Sequence, residues 1–297
     1  MYLDEAAVRR VLGWDELIAA MERALAAFSR GEVIQPVRNV LTIEEGCRYL
    51  GIMPAVAGDV MGVKVVTFYP VNAEARLPTH QATIVLYEKT TGRPLAAMDG
   101  RLITEMRTAA VSAAITKYLA PASSRVLALL GSGVQAHSHL EALARVRSFA
   151  EVRVWSRNAE HAAEFARRHG VESVASAETA VRGADVVVAA TAAREPILRG
   201  AWLKAGSHVN AVGSSRPDWR ELDDEAMANT VVVDSREAAT KEAGDVIMAG
   251  APIFAEIGEI FGGAPLPASS ATTVFKSVGL AVEDVAAAAL VFKRVKG

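Results

Sequence analysis

Four side chains stand where their chemistry conflicts with their surroundings or suits a ligand. Lys64 lies within VMGVKVVTFY (60–69), a strand-like run with apolar residues at alternating positions on both faces. An unpaired ammonium is costly there, so Lys64 must be paired, reach water along its stem, or face a cleft. Arg107 is four residues from both Ile103 and Val111, on the helical stripe that should meet the core. Its planar fork suits bidentate capture of a carboxylate, which a ligand or an internal acid could supply. His80, in LPTHQAT, opens a strand beside Thr79 and could donate a hydrogen bond, carry a proton near neutrality, or be structural. Arg38, in PVRNVL, is a further cation with a less distinctive setting.

A second kind of chemistry is written around Gly131. Gly131-Ser132-Gly133-Val134-Gln135-Ala136 follows the apolar run RVLALL (125–130) and precedes a helical segment. Such a G-x-G-x-x-A turn admits a pyrophosphate to a helix N-terminus, where free N–H groups and the helix dipole favour an anion. Glycine turns also serve as plain connectors, and the strand–turn–helix setting is what favours dinucleotide binding here. At the tip of the following strand stand Trp155-Ser156-Arg157-Asn158. An acid there would hold the ribose 2′-OH of NAD; its absence, with Arg157 at hand, points to NADP(H). The alternative is that Arg157 is a solvated loop charge and Asn158 a helix N-cap. Thr191 and Val212 fall at the carboxyl ends of later strands, where open α/β sheets bind ligands.

Other chemistries lack their residues. There is no HExxH or Cys/His spacing, and His137 and His139 are two apart on a helix, so no catalytic metal is expected. No G-x-S-x-G elbow supports serine hydrolysis. With 32 basic and 34 acidic residues, the chain has no electrostatic footprint for nucleic acid or an anionic membrane. The single cysteine, Cys47, fits a reducing compartment. MYLDEAAVRR is acidic and amphipathic where a signal peptide would be basic and then apolar, so a cytoplasmic protein is expected.

The elements that must position these residues divide into two sets. Leu17, Ile18, Met21, Leu25 and Phe28 predict an amphipathic helix over 15–30, with Asp15 to cap it and Gly31 to end it. Short β-branched runs at 60–69, 81–87 and 94–98 predict an antiparallel or mixed sheet, with a hairpin loop at 89–92. Helical periodicity returns over 102–119 and stops before Pro121, where we place a domain junction. Beyond it, strands at 125–130, 152–155, 185–190, 208–212 and 230–234 alternate with helical segments, which implies a doubly wound parallel sheet. A final helix over 280–294 has an apolar side able to pack on the first domain. The expected fold class is α/β: a Rossmann unit (119–277) plus an α+β substrate-binding and dimerisation unit (1–118 with 278–297).

KVVTFY, LPTHQAT, MDGRLITEMRTAAVSA, LGSGVQAHSH, VNAVGSSRPDWREL, DSREAATKEAGDV and TTVFKSVGLAVED, in this order over nearly the whole chain, resemble the ornithine cyclodeaminase/μ-crystallin family. The resemblance implies a homodimer in which the positions of Arg38, Lys64 and Arg107 hold a substrate carboxylate. It places Thr79 near the nicotinamide, and Arg107 and Ser277 with the cofactor-binding residues. The cyclodeaminase branch carries an aspartate after the N-A-V-G-G run; this chain has Ser215, which weighs against ring-closing deamination and leaves Ser215 as a substrate-side residue. VGSSRPDWREL and the Ser156-Arg157 tip are instead similar to the μ-crystallin branch, which reduces cyclic ketimines with NADPH.

A cyclic 2-imino acid needs a cationic clamp, a hydride donor and a proton for nitrogen. Arg107 and Arg38 could supply the clamp, NADPH the hydride, and Lys64 or His80, or a water held by them, the proton. The expected activity is NADPH-dependent reduction of Δ1-piperideine-2-carboxylate or Δ1-pyrroline-2-carboxylate to a cyclic L-amino acid. Two alternatives remain: an alanine or other amino-acid dehydrogenase, and an NADPH-dependent protein binding a thyroid-hormone-like ligand.

Overall fold

From Arg48 to Val56 buried and less buried residues alternate strictly, the pattern of a strand with one face on a core. In the computed structural model, which describes residues 1–73, 75 and 77–297, this run belongs to a six-stranded sheet. Its strands are β1 (Tyr2–Leu3), β2 (Asn39–Glu44), β3 (Arg48–Ala57), β4 (Val60–Phe68), β5 (His80–Glu88) and β6 (Pro94–Asp99). Their order is β1-β6-β5-β4-β3-β2. β2 to β6 form an antiparallel meander, and β1 joins β6 in parallel. The β5–β6 connection turns through Gly92 at φ 71°.

One face of this sheet is covered by the C-terminal helix Ala281–Lys296, which lies on β3, β4 and β5 and against the helix Trp14–Ser29. Gly62 permits the approach: a Cβ there would stand 3.1 Å from Val285 Cγ2 and 2.9 Å from the Val85 carbonyl oxygen. The helix Trp14–Ser29 buries Leu17, Ile18, Met21 and Leu25. Its N-cap is Gly13, not Asp15. The chain enters the helix one residue earlier than its polar signal, and Asp15 becomes a first-turn acid that complements the dipole.

The second sheet is built of β7 (Val126–Leu130), β8 (Glu151–Trp155), β9 (Glu172–Ser173), β10 (Val186–Ala189), β11 (His208–Ala211), β12 (Thr230–Val233), β13 (Ile253–Glu256) and β14 (Thr273–Lys276). All its pairings are parallel, in the order β13-β12-β14-β11-β10-β7-β8-β9. β10, β11 and β14 are buried along their whole length, as central strands covered on both faces require. The chain runs outward from β7 to β8 and β9, then returns to place β10 on the other side of β7. This reversal makes the carboxyl ends of β7 and β10 the topological switch point.

The chain divides into Met1–Arg107 with Gly279–Gly297, and Thr108–Val278. The division falls inside the helix Arg101–Leu119 rather than near residue 118, where the sequence suggested it. The later turns of that helix are tied to the second unit. Ser112 bonds His139 Nε2 (2.9 Å), Thr116 Oγ1 accepts from Asn210 Nδ2 (3.1 Å), and Arg147 donates to the carbonyls of Thr116, Lys117, Ala120 and Pro121.

Candidate active site

In the first unit, β4 carries Lys64 under the C-terminal helix, fully buried. Ile84 lies opposite Lys64 and His80 opposite Phe68, so His80 stands on the same sheet face four positions along. Lys64 Nζ is 2.5 Å from Asp284 Oδ2. Arg107 Nε donates to Asp284 Oδ1 (3.0 Å) and its Nη1 to Glu283 Oε2 (2.6 Å). Arg38 Nη2 donates to the Gly279 carbonyl at 2.6 Å. Gly279, at φ 77°, has no room for a side chain, since a Cβ would stand 2.5 Å from Arg107 Nη1. Arg38, Lys64 and Arg107 thus converge around the first turn of the C-terminal helix, where Lys64 and Arg107 meet two acids that sequence reasoning did not single out.

The electrostatics follow from burial. Burial pushes the Lys64 ammonium down, Asp284 pulls it back and Arg107 pushes it down again, leaving it at about 8. Burial alone would push the Asp284 carboxyl up, but Arg107 and Lys64 beside it hold it below the ordinary value. Burial, with Lys64 and Arg107 close by, pushes His80 down to about 3. His80 is therefore neutral at physiological pH: burial first, and the two cations beside it second, disfavour the imidazolium. Hydrogen bonding remains open to it.

In the second unit, Gly131 adopts φ 116°, and its N–H donates to the Trp155 carbonyl at 2.8 Å. A Cβ at Gly131 would be 2.6 Å from the Ala190 carbonyl oxygen, so only glycine fits between β7 and β10. Gly133 N-caps the helix Val134–Leu143 without any side-chain cap, and a Cβ there would meet nothing within 4 Å. Ser132 is half-buried, Val134 is exposed, and the Gln135 side-chain oxygen is buried with no partner among the described residues. Open backbone donors, a bare glycine cradle and a helix dipole fit the pyrophosphate of a dinucleotide. Ser156 and Arg157 lie at the tip of β8, Arg157 exposed, while Asn158 caps the helix Ala159–His169 by accepting from the N–H groups of Glu160 and His161.

The remaining sequence candidates also lie at strand ends. Thr191 is bound through both N–H and Oγ1 to Glu221, each at 2.7 Å. Val212 is half-buried beyond β11 and Ser215 is exposed. Ser277 Oγ donates to Asp234 Oδ2 at 3.0 Å. Sequence reasoning missed Glu221, Asp245 and Lys276, all fully buried. The signal was present for Lys276, a lysine ending the apolar run TTVF, by the same logic that flagged Lys64.

A doubly wound parallel sheet with a glycine-turned helix N-terminus, together with an α+β unit carrying a buried cationic cluster, defines a two-unit Rossmann-type protein. The profile of the ornithine cyclodeaminase/mu-crystallin family matches residues 1–297. The chain belongs to this family. It is 52% identical over 284 residues to the ketimine reductase mu-crystallin of Rattus norvegicus, covering 93% of this chain and 91% of that protein. A solved structure of Thermococcus litoralis Δ1-pyrroline-2-carboxylate reductase, in complex with NADH and L-proline, is similar with a TM-score of 0.95 at 36% identity, covering 100% of this chain and 97% of that one. An archaeal alanine dehydrogenase dimer with bound NAD is similar with a TM-score of 0.93 at 33% identity, covering 100% of this chain and 96% of that one.

Asp284 balances two buried cations, so Asp284→Ala should destabilise the first unit by about 3–5 kcal/mol. Urea unfolding checks this; an unchanged midpoint would show that the cluster does not depend on its acid.

Proposed function

We propose that the protein reduces cyclic ketimine 2-carboxylates, of the Δ1-piperideine-2-carboxylate or Δ1-pyrroline-2-carboxylate type, to cyclic L-amino acids with NADPH. The observation that carries this reading is the charge of the first-unit cluster. Lys64 and Arg107 are buried against Glu283 and Asp284, and Arg38 donates to the Gly279 carbonyl at the same helix start, so three cations converge on one place beside a neutral His80. A convergence of cations of this kind suits a carboxylate-bearing substrate. The names of the rat relative and of the Thermococcus structure support an imine as the group reduced.

The Gly131–Gly133 turn would hold a nicotinamide dinucleotide, which would supply a hydride when bound. Arg107 and Arg38 hold the substrate carboxylate and orient the ring. Lys64 holds a proton at Nζ that can pass to the imine nitrogen, and titration at about 8 suits it to that transfer near neutrality. Asp284 favours the charged form of Lys64 in a buried place. Ser215 offers a weakly basic hydroxyl where the cyclodeaminase branch has an aspartate, which favours reduction over hydrolytic deamination. Thr79, Thr191, Val212 and Ser277 are assigned to the cofactor side, and Arg157 to the 2′-phosphate of NADPH. The unpaired Cys47 fits a cytoplasmic setting. A second reading, amino-acid dehydrogenase, is favoured by the similarity to the archaeal alanine dehydrogenase.

Loss of NADPH absorbance with each cyclic imine, set against pyruvate plus ammonium, decides between the two; turnover of pyruvate alone would overturn the ketimine reading. If the Lys64 proton is used, kcat/KM should fall as pH rises through about 8, where the ammonium is lost. Lys64→Arg, which does not titrate there, should be slow and lack that decline. Survival of the same alkaline limb in the arginine variant would remove Lys64 from proton transfer.

Arg157→Ser should reduce the preference for NADPH over NADH by about tenfold, the worth of a hydrogen bond to a charged group. Equal preference in the two proteins would leave Arg157 a solvated charge.

We also infer a homodimer. The sheet face away from the C-terminal helix carries Leu41, Ile52, Val63, Val65 and Val85, with Leu41 and Val65 exposed. A contiguous apolar face of this kind marks an association surface, and the alanine dehydrogenase relative is a dimer. Val65→Asp should give a monomer by sedimentation velocity; a dimer that persists would place the interface elsewhere.

A further inference from the structure

We propose that Glu221 is the positioning residue of the cofactor site, fixing the spacing between the loops that follow β10 and β11; the proposal rests on the dinucleotide reading above. The Glu221 carboxylate is fully buried and spends its acceptors on two separate loops. Oε1 accepts from Thr191 N–H and Thr191 Oγ1, both at 2.7 Å. Oε2 accepts from the N–H groups of Gly213 (2.8 Å) and Ser214 (3.3 Å). The same residue's carbonyl accepts from Ile197 and Leu198 N–H, so both ends of the segment after β10 are held by one residue. At Gly213 a Cβ would stand 2.1 Å from the Thr191 carbonyl oxygen and 2.5 Å from Glu221 Oε1. The two loops are thus in backbone contact and require glycine.

Glu221 is itself held in place. Its N–H and that of Leu222 donate to Asp245 Oδ1 at 2.8 and 2.9 Å. Asp245 Oδ2 lies 2.8 Å from Lys276 Nζ, which also donates to the Ser214 carbonyl at 2.5 Å. The chain of contacts starts at the end of β14, passes through two acids and returns to the loop after β11. Buried charges of this kind seldom stabilise a fold more than apolar residues of the same volume would. What they provide here is geometry. Four donors on two loops converge on one planar carboxylate, at the ends of strands beside the switch point where a dinucleotide binds.

The test compares wild type with Glu221→Gln by fluorescence titration with NADPH and NADH, and by steady-state kinetics with the preferred imine. The amide group places N–H donors against one set of loop donors and forces the loops apart. The expected result is a dissociation constant for the dinucleotide raised about tenfold or more, as for a small misplacement of a binding group, with KM for the imino acid unchanged. A Glu221 that served stability alone would lower the melting temperature and leave cofactor affinity of the folded protein untouched, and that result overturns the proposal. If Glu221→Gln does not fold, Thr191→Val removes one of the four donors and should weaken dinucleotide binding, with Thr191→Ser restoring it. Equal affinities in valine, serine and wild-type proteins would overturn it too. A wild type that binds neither dinucleotide overturns the dinucleotide reading itself, and this proposal with it.

Discussion

Lys64 and Arg107 can be buried only because the first turn of the C-terminal helix delivers Glu283 and Asp284 to them. A desolvated cation without a counter-charge costs several kcal/mol, so this compensation constrains everything around it. It requires the helix to sit close on the sheet, which the absence of a side chain at Gly62 allows. It requires the turn into the helix to pass tightly over the guanidinium, which Gly279 at positive φ allows. The helix start is then held by Gln35, whose side-chain oxygen accepts from Val282 N–H at 2.6 Å, and by Arg38 on the Gly279 carbonyl. The acids stand in the first helical turn, where the dipole also favours negative charge.

The second unit uses buried charge differently. Lys276 is matched by Asp245 and lies near Glu221, whose carboxyl burial pushes up against the pull of that lysine. No cation is in excess in this trio, and its hydrogen bonds run to backbone N–H and carbonyl groups of loops. In the first unit the buried charges are side chains paired with one another across the sheet and the C-terminal helix; in the second, one lysine and two acids are tied chiefly to the backbone of loops. Both clusters arise from lysines that end up fully buried in strands.

Much of this was legible in the residues. The β-branched runs that became β4, β5 and β6, the apolar runs of the parallel sheet and the glycine turn after β7 are local patterns, and local patterns are what spacing reveals. The acids opposite Arg107 were hidden because the pairing spans 176 and 177 positions in sequence. An acidic pair at the start of a helix reads as ordinary dipole complementation until the fold brings a cation to it. The state of His80 was hidden for a related reason: burial, and Lys64 and Arg107, which only the sheet register and the returning helix place beside it, push it below its ordinary range. Nor does any local signal mark the division between Arg107 and Thr108, since helical periodicity runs through it unbroken; remote partners on Ser112 and Thr116 decide it.

The discontinuous make-up of the first unit bears on how the chain is born. Synthesis proceeds from the N-terminus, so residues 1–107 leave the ribosome well before residues 279–297 exist. During that interval Lys64 and Arg107 have no counter-ions, and the sheet face that the last helix will cover stays open to water. The intervening Thr108–Val278 segment contains all eight strands of its own sheet and is able to condense first, since domains tend to fold as units while the chain emerges. The order of translation thus makes the unit that holds Lys64 and Arg107 the last part of the molecule to mature, however early its strands are made.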